Sequence, residues 1–536
     1  MPDTAPSNRR PLGAQISHML RDRGVDVIFG IPGVHNQEMY RGIEEAGITH
    51  VLARHEQGAG FMADGYARAT GKPGVAYVIT GPGLCNIMTP LGQAQSDSVP
   101  VLAISSCLDE TAARKGQLHQ MNDQEVAAAT VCDWSATALS AQAAYGLVDR
   151  ALEEFESDRP RAKHIQVPIA QLEALADAAP APNMPAKPCT AGQAEIAPIL
   201  SLLNVARRPL FILGGGAKGA FWRQIMSQTG AACFTTYAGR GCVGAGYPLD
   251  FGSTLARPGS ADIIASADLV IAIGTELAEV DLWRAHLGHK APLVRVDLDP
   301  TCLSDAQRAT VKIRADARDV AVALQEATET FAPRTGWDAR EVSDARDRWR
   351  AETSAERPGI APICDALGEV LSADTMIYSD MTQFAYVANE IWPMHRPGHW
   401  HHPSGFGTLG YALPAGIGGA VGRPGKQTMV IIGDYGFQYT VAELGAAVEL
   451  GLPLPILLWD NGKLKEIEDS MTRAQIAPNA VIARNPDFCK LAEAYGARAT
   501  SPKTLQDLQN DVRAAFAADG PTLIHVTPAI TGTGGI

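Results

Sequence analysis

Short apolar runs alternate with longer amphipathic runs along nearly all of this 536-residue chain, and this alternation limits the possible folds most strongly. Strands and helices in regular succession are typical of open, mostly parallel α/β sheets. Two segments interrupt the pattern: a Pro- and Ala-rich stretch at 177–193, and a charged helical stretch at about 333–358 that is interpreted as a solvated connector. We therefore predict three doubly wound, mostly parallel-sheet α/β domains, at 1–178, 193–332 and 358–536.

The charge and the cysteine pattern exclude several classes of function. A formal net charge of -13 argues against nucleic acid or an anionic membrane as a main partner, because both favour a basic face. No apolar stretch is long enough to span a membrane, and the N-terminal residues lack the apolar core of a signal peptide. None of the nine cysteines forms a Cys-x-x-Cys pair, which favours free thiols over disulfides or structural zinc. A cytoplasmic protein with a small-molecule partner is predicted.

Three apolar runs in the last block, DTMIYSD, QTMVIIGD and LPILLWDN, end at Asp380, Asp434 and Asp460-Asn461. In open α/β sheets, ligands bind beyond the carboxyl ends of the strands. One helical run lies between the second and third strands, so Asp434 and Asn461 can converge on neighbouring strand ends. Their oxygens suit Mg²⁺ or Ca²⁺ with phosphate, and the helix after Asp434 would favour an anion. In the alternative interpretation, Asp434 is only a helix cap and Asp460-Asn461 only a turn.

Residues 433–461 resemble the diphosphate-binding motif of thiamine diphosphate (ThDP) enzymes, which runs from Gly-Asp-Gly to Asn-Asn. The resemblance implies that Gly433 lies beside the diphosphate and that Mg²⁺ is bound by Asp434, the Asn461 side chain and the Lys463 carbonyl.

This motif departs from the family pattern at two positions. Tyr435 stands where a small residue is usual, so its ring must find room beside the diphosphate or point away. Asp460 replaces the first Asn of the pair and adds a negative charge near the phosphates.

Other segments resemble the acetolactate synthase/pyruvate decarboxylase superfamily, in its order of pyrimidine-binding, central and diphosphate-binding domains. RHEQGAGFMADGYARATGKPG, at 54–74, resembles the segment with the catalytic glutamate. The resemblance implies that Glu56 hydrogen-bonds the aminopyrimidine of ThDP and starts its proton relay. As an isolated residue, Glu56 could instead be a first-turn acid favoured by the helix dipole.

Four further segments supply candidate site residues by the same resemblance. The resemblance implies that TGPGLCN lies near the pyrimidine ring and that GQLHQMND contacts the substrate. It implies that SDMTQ lies along the diphosphate, and that a leucine in GFGTLGYALPAGIG is the apolar wedge that bends the cofactor. The histidine could instead be structural, and the leucine could be ordinary core. These candidates are Thr80, Gly81, Asn86, His119, Gln120, Thr382, Gln383, Gly407 and Leu409.

The resemblance also implies an oligomer, because in such enzymes Glu56 and Asp434 of one site come from different subunits. A homodimer or homotetramer is therefore expected. GGGAKGA, at 214–220, lies where some relatives bind FAD and others bind nothing. Three glycines after a strand are also typical of a plain tight turn, and a requirement for FAD is not favoured.

The chemistry implied by this family is ThDP-dependent attack on a 2-oxo acid, followed by loss of carbon dioxide. Residues 29–43, 274–283 and Glu466-Ile467 look most like 5-guanidino-2-oxopentanoate (2-oxoarginine) decarboxylases. Glu466 would protonate the intermediate or pair with a cationic tail, unless it lies on an exposed helical face. Leu464-Lys465 stands where these relatives carry Tyr-Gly. The alternatives are a carboligase that makes acetolactate and a non-catalytic relative that keeps the fold.

Overall fold

The computed structural model describes residues 9–182, 189–219, 221–331, 336–482 and 484–532. The domain boundary placed at 332 lies outside these residues. No helix in the described part of the chain has the length and apolar character needed to cross a membrane.

The first domain is built on a parallel six-stranded sheet, with a separate antiparallel pair made by its first and last strands. Its strands are β1 (Arg10–Pro11), β2 (Val27–Gly30), β3 (Thr49–Leu52), β4 (Gly74–Val78), β5 (Val101–Cys107), β6 (Trp134–Thr137), β7 (Lys163–Pro168) and β8 (Leu175–Ala176). Its helices are α1 (Leu12–Asp22), α2 (Gln37–Glu45), α3 (Glu56–Thr70), α4 (Pro82–Asp97), α5 (Gln124–Ala129), α6 (Ala141–Ser157) and α7 (Ile169–Glu173). The sheet order is β3-β2-β4-β5-β7-β6, and β1 pairs with β8.

The central domain is a parallel five-stranded sheet. Its strands are β9 (Pro209–Leu213), β10 (Ala232–Thr235), β11 (Leu269–Ile273), β12 (Leu293–Asp297) and β13 (Val311–Arg314). Its helices are α8 (Gln193–Val205), α9 (Trp222–Thr229), α10 (Ser260–Ser266), α11 (Glu279–Leu282) and α12 (Ala317–Thr328), followed by α13 (Ala339–Glu356). The sheet order is β10-β9-β11-β12-β13.

The third domain again has a parallel six-stranded sheet. Its strands are β14 (Met376–Ser379), β15 (Trp400–His401), β16 (Thr428–Gly433), β17 (Pro455–Trp459), β18 (Arg498–Thr500) and β19 (Thr522–Val526). Its helices are α14 (Ile360–Gly368), α15 (Gln383–Ile391), α16 (Ala412–Gly422), α17 (Asp434–Thr440), α18 (Leu444–Glu449), α19 (Lys465–Arg473), α20 (Phe488–Ala494) and α21 (Leu505–Phe516). The sheet order is β15-β14-β16-β17-β19-β18. Short 3₁₀ turns lie at Gly215–Ala217, Cys302–Ser304, Val441–Glu443 and Pro528–Thr531.

Each sheet is covered on both faces, as the predicted doubly wound architecture requires. Along β5, Val101 and Ala103 belong to one buried cluster, whereas Leu102 and Ile104 belong to another. Side chains alternate between the faces of a strand, so a strand that is buried along its whole length, as β5 is, needs cover on both sides. The prediction of three mostly parallel α/β domains is confirmed.

Helix α13 is not the solvated connector that its charges suggested. Val342, Ala345 and Trp349 are buried, and they pack with Phe251 of the central domain. Their spacing of three and four residues places them on one face of the helix. The charged residues cover the other face, so the composition concealed a buried stripe.

Helices α3 and α16 pack closely enough to join the first and third domains into one buried cluster. A Cβ built on Gly65 would lie 1.9 Å from the Ala415 carbonyl oxygen, and one on Gly418 would lie 1.9 Å from that of Met62. Glycine is therefore required on both helices. This contact fixes α3, whose first residue is Glu56, against the third domain.

Candidate active site

The ends of β16 and β17 bring two carboxylates together. Gly433 pairs in register with Trp459, so Asp434 and Asp460 follow side by side. Asn485 donates from Nδ2 to Asp434 Oδ2 at 2.7 Å and to Asp460 Oδ1 at 2.9 Å. The strand-end geometry expected from the sequence is present, although Asp460 rather than Asn461 lies nearest to Asp434 in these contacts.

The two carboxylates are held in different electrostatic states. Asp434 is 4% exposed, and burial together with the neighbouring Asp460 raises its pKa to about 6, partly offset by Asn485. Burial also acts on Asp460, but hydrogen bonds from His525 Nε2 at 2.9 Å and from the Gly462 N–H at 3.0 Å keep its pKa below the ordinary value. The site therefore concentrates negative charge that a cation would neutralise.

The donor atoms at this edge fit a hard divalent cation. Asp434 offers carboxylate oxygens, and the turn after β17 offers the Asn461 amide oxygen, which accepts the Lys463 N–H at 3.2 Å. The Lys463 ammonium is turned to Glu468, at 3.1 Å. In the described ranges, no three or more His, Cys, Asp or Glu side chains are grouped so that they could hold a metal alone. A metal here would depend on amide, carbonyl and phosphate oxygens, which suits Mg²⁺.

A narrow backbone recess lies beside Asp434. A Cβ on Gly433 would lie 3.2 Å from Thr382 Oγ1, so a larger residue at this position would press on the Thr382 hydroxyl. Tyr435 is only partly buried, and burial together with Asp434 and Tyr439 raises the pKa of its phenol. Glycine and a neighbouring hydroxyl are suited to the close approach of a phosphate group.

Asp380, the third strand-end carboxylate, has a structural role. It is buried and accepts the N–H groups of Gly410 and Ala412, both at 3.2 Å. Burial raises its pKa to about 7 against these hydrogen bonds. Asp380 thereby fixes the segment that carries Gly407, at φ +68°, and the partly buried Leu409.

Glu466 is already engaged by a guanidinium group. Arg357 Nη2 donates to its Oε1 at 3.0 Å, and Gln383 Nε2 donates to its Oε2 at 3.1 Å. The Arg357 guanidinium also lies over the Tyr386 ring, 5.7 Å from its centroid. Lys465 pairs with an aspartate of its own helix. The Glu466 side chain is therefore only partly exposed, and its carboxylate is already paired with Arg357.

Glu56 begins α3, where one contact holds its side chain and another holds the backbone just before it. Asn86 Nδ2 donates to Glu56 Oε2 at 2.8 Å. The Glu443 carboxylate, which comes from the third domain, accepts the N–H groups of Arg54 at 3.1 Å and His55 at 2.9 Å, just before the helix. Burial raises the pKa of Glu443 to about 7.

The loops after β4 and β5 meet near this helix. Thr80 Oγ1 and Ser106 Oγ lie 2.8 Å apart, and Gly81 adopts φ +69°, where a Cβ would lie 2.3 Å from the His119 carbonyl oxygen. Gln120 donates its amide to carbonyl groups of its own loop, at 3.1 and 2.8 Å. The His119 carbonyl thus lies against the loop after β4, and the Gln120 amide bonds its own loop. Contact of either side chain with a substrate stays a prediction.

Sequence reasoning did not identify Asn485, Glu443, Arg357 or His35. His35 follows β2 at the carboxyl edge of the sheet, and its position after a strand was the one available signal. The other three contact partners that are distant in sequence. Asn485 is 51 positions from Asp434, Glu443 is 389 from Arg54, and Arg357 is 109 from Glu466. No local spacing reveals such contacts.

A cavity of about 260 Å³ lies at the carboxyl ends of the central-domain strands, lined in part by Gly215, Gly216 and Lys218 and closed by residues of the other two domains. An ion pair between Arg159 and Glu276, at 2.6 Å, lies at this cavity. Pockets for drug-sized ligands usually hold about 300–1,000 Å³. The size gives no support for FAD, and the expectation that FAD is not required stays a prediction.

Three family profiles match the chain. They are described as thiamine pyrophosphate enzyme N-terminal TPP binding domain, central domain and C-terminal TPP binding domain, at residues 10–127, 196–324 and 380–526. A probable 2-ketoarginine decarboxylase of Pseudomonas aeruginosa is 42% identical over 98% of this chain and 95% of its own length. Acetolactate synthase isozyme 2 large subunit of Escherichia coli is 28% identical over 96% of this chain and 95% of its own length. Acetolactate synthase of Mycobacterium avium is also 28% identical, over 96% of this chain and 86% of its own length.

Proposed function

We propose that this chain, which belongs to the thiamine pyrophosphate enzymes, decarboxylates a 2-oxo acid with ThDP and Mg²⁺ as cofactors. The observation that carries the proposal is the register of β16 and β17, which places Asp434 beside the Asp460-Asn461 turn. The likeness over 98% of the chain to a relative named as a decarboxylase supports the same reaction. A cytoplasmic homodimer or homotetramer remains part of this proposal.

In this proposal, Asp434, Asn461 and the Lys463 carbonyl hold Mg²⁺, and Gly433, Thr382 and Gln383 lie along the diphosphate. Bound ThDP would supply a nucleophilic carbon and an electron sink for the carboxyl group that leaves. Buried carboxylates bind a divalent cation tightly because few water molecules compete with it.

Glu56 is proposed to accept and return the proton that activates the cofactor. Asn86 fixes one of its carboxyl oxygens, so the other is left for a pyrimidine nitrogen. Such a general acid–base group contributes about 10²–10⁴-fold in rate. Thr80, Gly81, Gly407 and Leu409 are proposed to shape the ring pocket around it, with Leu409 as the apolar wedge.

The surroundings of Glu466 favour a substrate with a guanidinium tail. The Glu466 carboxylate and the Tyr386 ring already contact one guanidinium group, that of Arg357, and the Gln383 amide donates to the same carboxylate. A carboxylate and an aromatic face are the partners that guanidinium groups prefer. A 2-oxo acid such as 5-guanidino-2-oxopentanoate, in competition with Arg357 for Glu466, is therefore the first candidate.

Purified protein with ThDP and Mg²⁺ tests this proposal against three acids: 5-guanidino-2-oxopentanoate, 2-oxopentanoate and pyruvate. We expect carbon dioxide and aldehyde release, with kcat/KM at least about 10-fold higher for the guanidino acid than for 2-oxopentanoate, since hydrogen bonds to charged groups contribute about 1.5–3 kcal/mol. Glu466→Gln should remove most of this preference. The absence of carbon dioxide from every acid would contradict the reaction.

A carboligase is the second candidate, because two of the relatives are named acetolactate synthases. Pyruvate would then give acetolactate, which yields acetoin after acidification and is detected by a colour test. Acetoin without free aldehyde would favour this candidate over the decarboxylase.

A further inference from the structure

Two histidine side chains from different loops meet at the carboxyl edge of the first sheet. His35 follows β2 and His119 follows β5, and their rings make an edge-to-face contact with centroids 4.9 Å apart and an interplanar angle of 66°. Both residues are partly buried in the described chain. An imidazole pair at this distance is close enough for the charge on one ring to act on the other.

The nitrogens that these rings turn inward have no partner. The Nδ1 atoms of His35 and His119 are both buried, and neither has a hydrogen-bond partner among the described residues. Most buried polar side-chain atoms in proteins are hydrogen-bonded, and exceptions are concentrated at sites that bind or react. The contact between the rings therefore leaves polar atoms of both available.

The backbone holds His119 in an uncommon conformation. Its φ is +61°, a left-handed value that costs free energy for residues other than glycine. Its carbonyl lies against Gly81, and Gly83, in the next turn, faces Glu56, whose Oε1 would lie 3.6 Å from a Cβ there. The histidine pair is thus fixed beside the loop that faces Glu56, the residue proposed for the proton relay.

The charged surroundings of His35 are limited. Burial lowers its pKa, the neighbouring His119 lowers it further, and Asp109 opposes both. Asp109 also follows β5, and its carboxylate accepts the Ala170 N–H at 2.8 Å. Arg114 and Lys115, on the loop of His119, are exposed. A second positive charge on the pair would therefore be only partly balanced.

We propose that His35 is a positioning residue that fixes His119 by ring contact and disfavours a second positive charge on the pair, so that His119 delivers a single proton at the substrate. This inference rests on the proposed decarboxylation. The proton leaves an imidazole nitrogen for the substrate and is replaced from solvent, so the pair returns to its starting charge. His119 would be the catalytic member, and His35 would act through it.

The electrostatic part of the proposal can be tested without cofactor or turnover. Histidine-labelled protein free of ThDP is titrated by NMR as wild type and as His119→Gln. The pKa of His35 should rise in the variant by at least about 0.5, the effect expected for two unit charges about 5 Å apart in water. His18→Gln, at a partly exposed residue 3.5 Å from Glu45, serves as the control and should leave His35 unchanged. An unaltered His35 titration in His119→Gln would overturn the proposal, whatever reaction the enzyme performs.

The role in the reaction is tested with His35→Gln, measured as kcat and KM across the pH range. We expect kcat to fall at least about 10-fold with little change in KM, and the acid limb of the kcat/KM profile to move, because the partner of His119 no longer titrates. A variant whose kcat/KM falls equally at every pH, with an unmoved profile, would show a purely structural role and refute the proposal. If the wild type does not decarboxylate any acid, the proposed function fails, while the titration still decides whether the two histidines are coupled.

Discussion

At the scale of single residues, Asn485 has an unusual position, because one amide nitrogen serves two acids that repel each other. It donates to both Asp434 and Asp460, and Gln438 Nε2 donates to its Oδ1 at 3.3 Å. His525 balances Asp460 from the other side. The replacement of the usual Asn by Asp460 is thus accompanied by donors that offset its charge.

Asn485→Ala should show what this amide contributes. Without Mg²⁺, we expect the free energy of unfolding to fall by about 1–3 kcal/mol, because two buried carboxylates lose a donor. Saturating Mg²⁺ should restore most of the loss, since the cation neutralises both groups. Urea unfolding of cofactor-free protein, with and without Mg²⁺, measures this. Asn479→Ala is the control, because Asn479 is exposed and its side chain, among the residues that the structure describes, bonds the Ala477 carbonyl alone. A loss that is equal with and without Mg²⁺ would contradict the role.

At the scale of elements, the contact between α3 and α16 depends on glycine. Gly65→Ala would place a methyl group against the Ala415 carbonyl, so we expect a loss of about 1–3 kcal/mol in the free energy of unfolding. The control is Gly146→Ala in α6, where a Cβ meets nothing within 4 Å. That change should stabilise the protein by about 0.5–1 kcal/mol, because alanine favours helix. Urea unfolding of both variants separates packing from helix propensity, and equal effects would contradict the close contact.

Local patterns predict most of the elements but not their partners. The helix that begins near Glu56 and stops at Gly71, with φ +72°, follows directly from its apolar spacing and its glycine cap. One helical run was expected between the second and third strands of the last block, whereas the structure has two helices there: α17 starts at Asp434, and the chain turns through Val441–Glu443 into α18. The 3₁₀ turn directs the Glu443 carboxylate at the N–H groups that precede α3. Glu443 and its partner Arg54 are 389 positions apart in the chain.

The candidate site divides in the same way. Asp434 and the Asp460-Asn461 turn could be placed at one edge from sequence because parallel strands carry their ends there, although the convergence was expected for Asn461 and the structure brings Asp460 nearest. The ion pair of Glu466 could not be predicted, because its partner Arg357 lies in a segment that was interpreted as a solvated connector. The strand ends of the third domain were therefore expected together, whereas His35 after β2 and the residues that reach the strand ends from other elements were missed.

At the scale of the whole molecule, Glu443 links the stability of the chain to pH. Its pKa is about 7 in the fold, against an ordinary value of 4.5, so the folded state holds a proton that the unfolded state releases. Stability should therefore fall as pH rises from about 4.5 to 7, by an amount on the order of 3 kcal/mol.

Glu443→Gln cannot ionise, so the free energy of unfolding of the variant minus that of wild type should increase between pH 5 and pH 8, because only the wild type loses stability. Urea unfolding at several pH values measures the difference. Glu449→Gln is a matched control, because that acid also pairs with Arg54 but is 59% exposed in its side chain. A difference that stays constant with pH would contradict the assignment.

The subunit arrangement gives the last prediction. Within one described chain, Glu56 contacts Asn86, whereas Asp434 contacts Asn485, and no described hydrogen bond joins the two acids. If each site takes Glu56 from one subunit and Asp434 from another, Glu56→Gln should fold and bind ThDP yet lose about 10²–10⁴-fold in turnover. Asp434→Ala should lose Mg²⁺-dependent ThDP binding, measured by calorimetry.

Mixed dimers of these two variants, isolated by two different tags, then contain one site with both changes and one with neither, so about half of the wild-type activity should return. Dimers of either variant alone are the control. Mixed dimers as inactive as their parents would mean that both acids act within one chain.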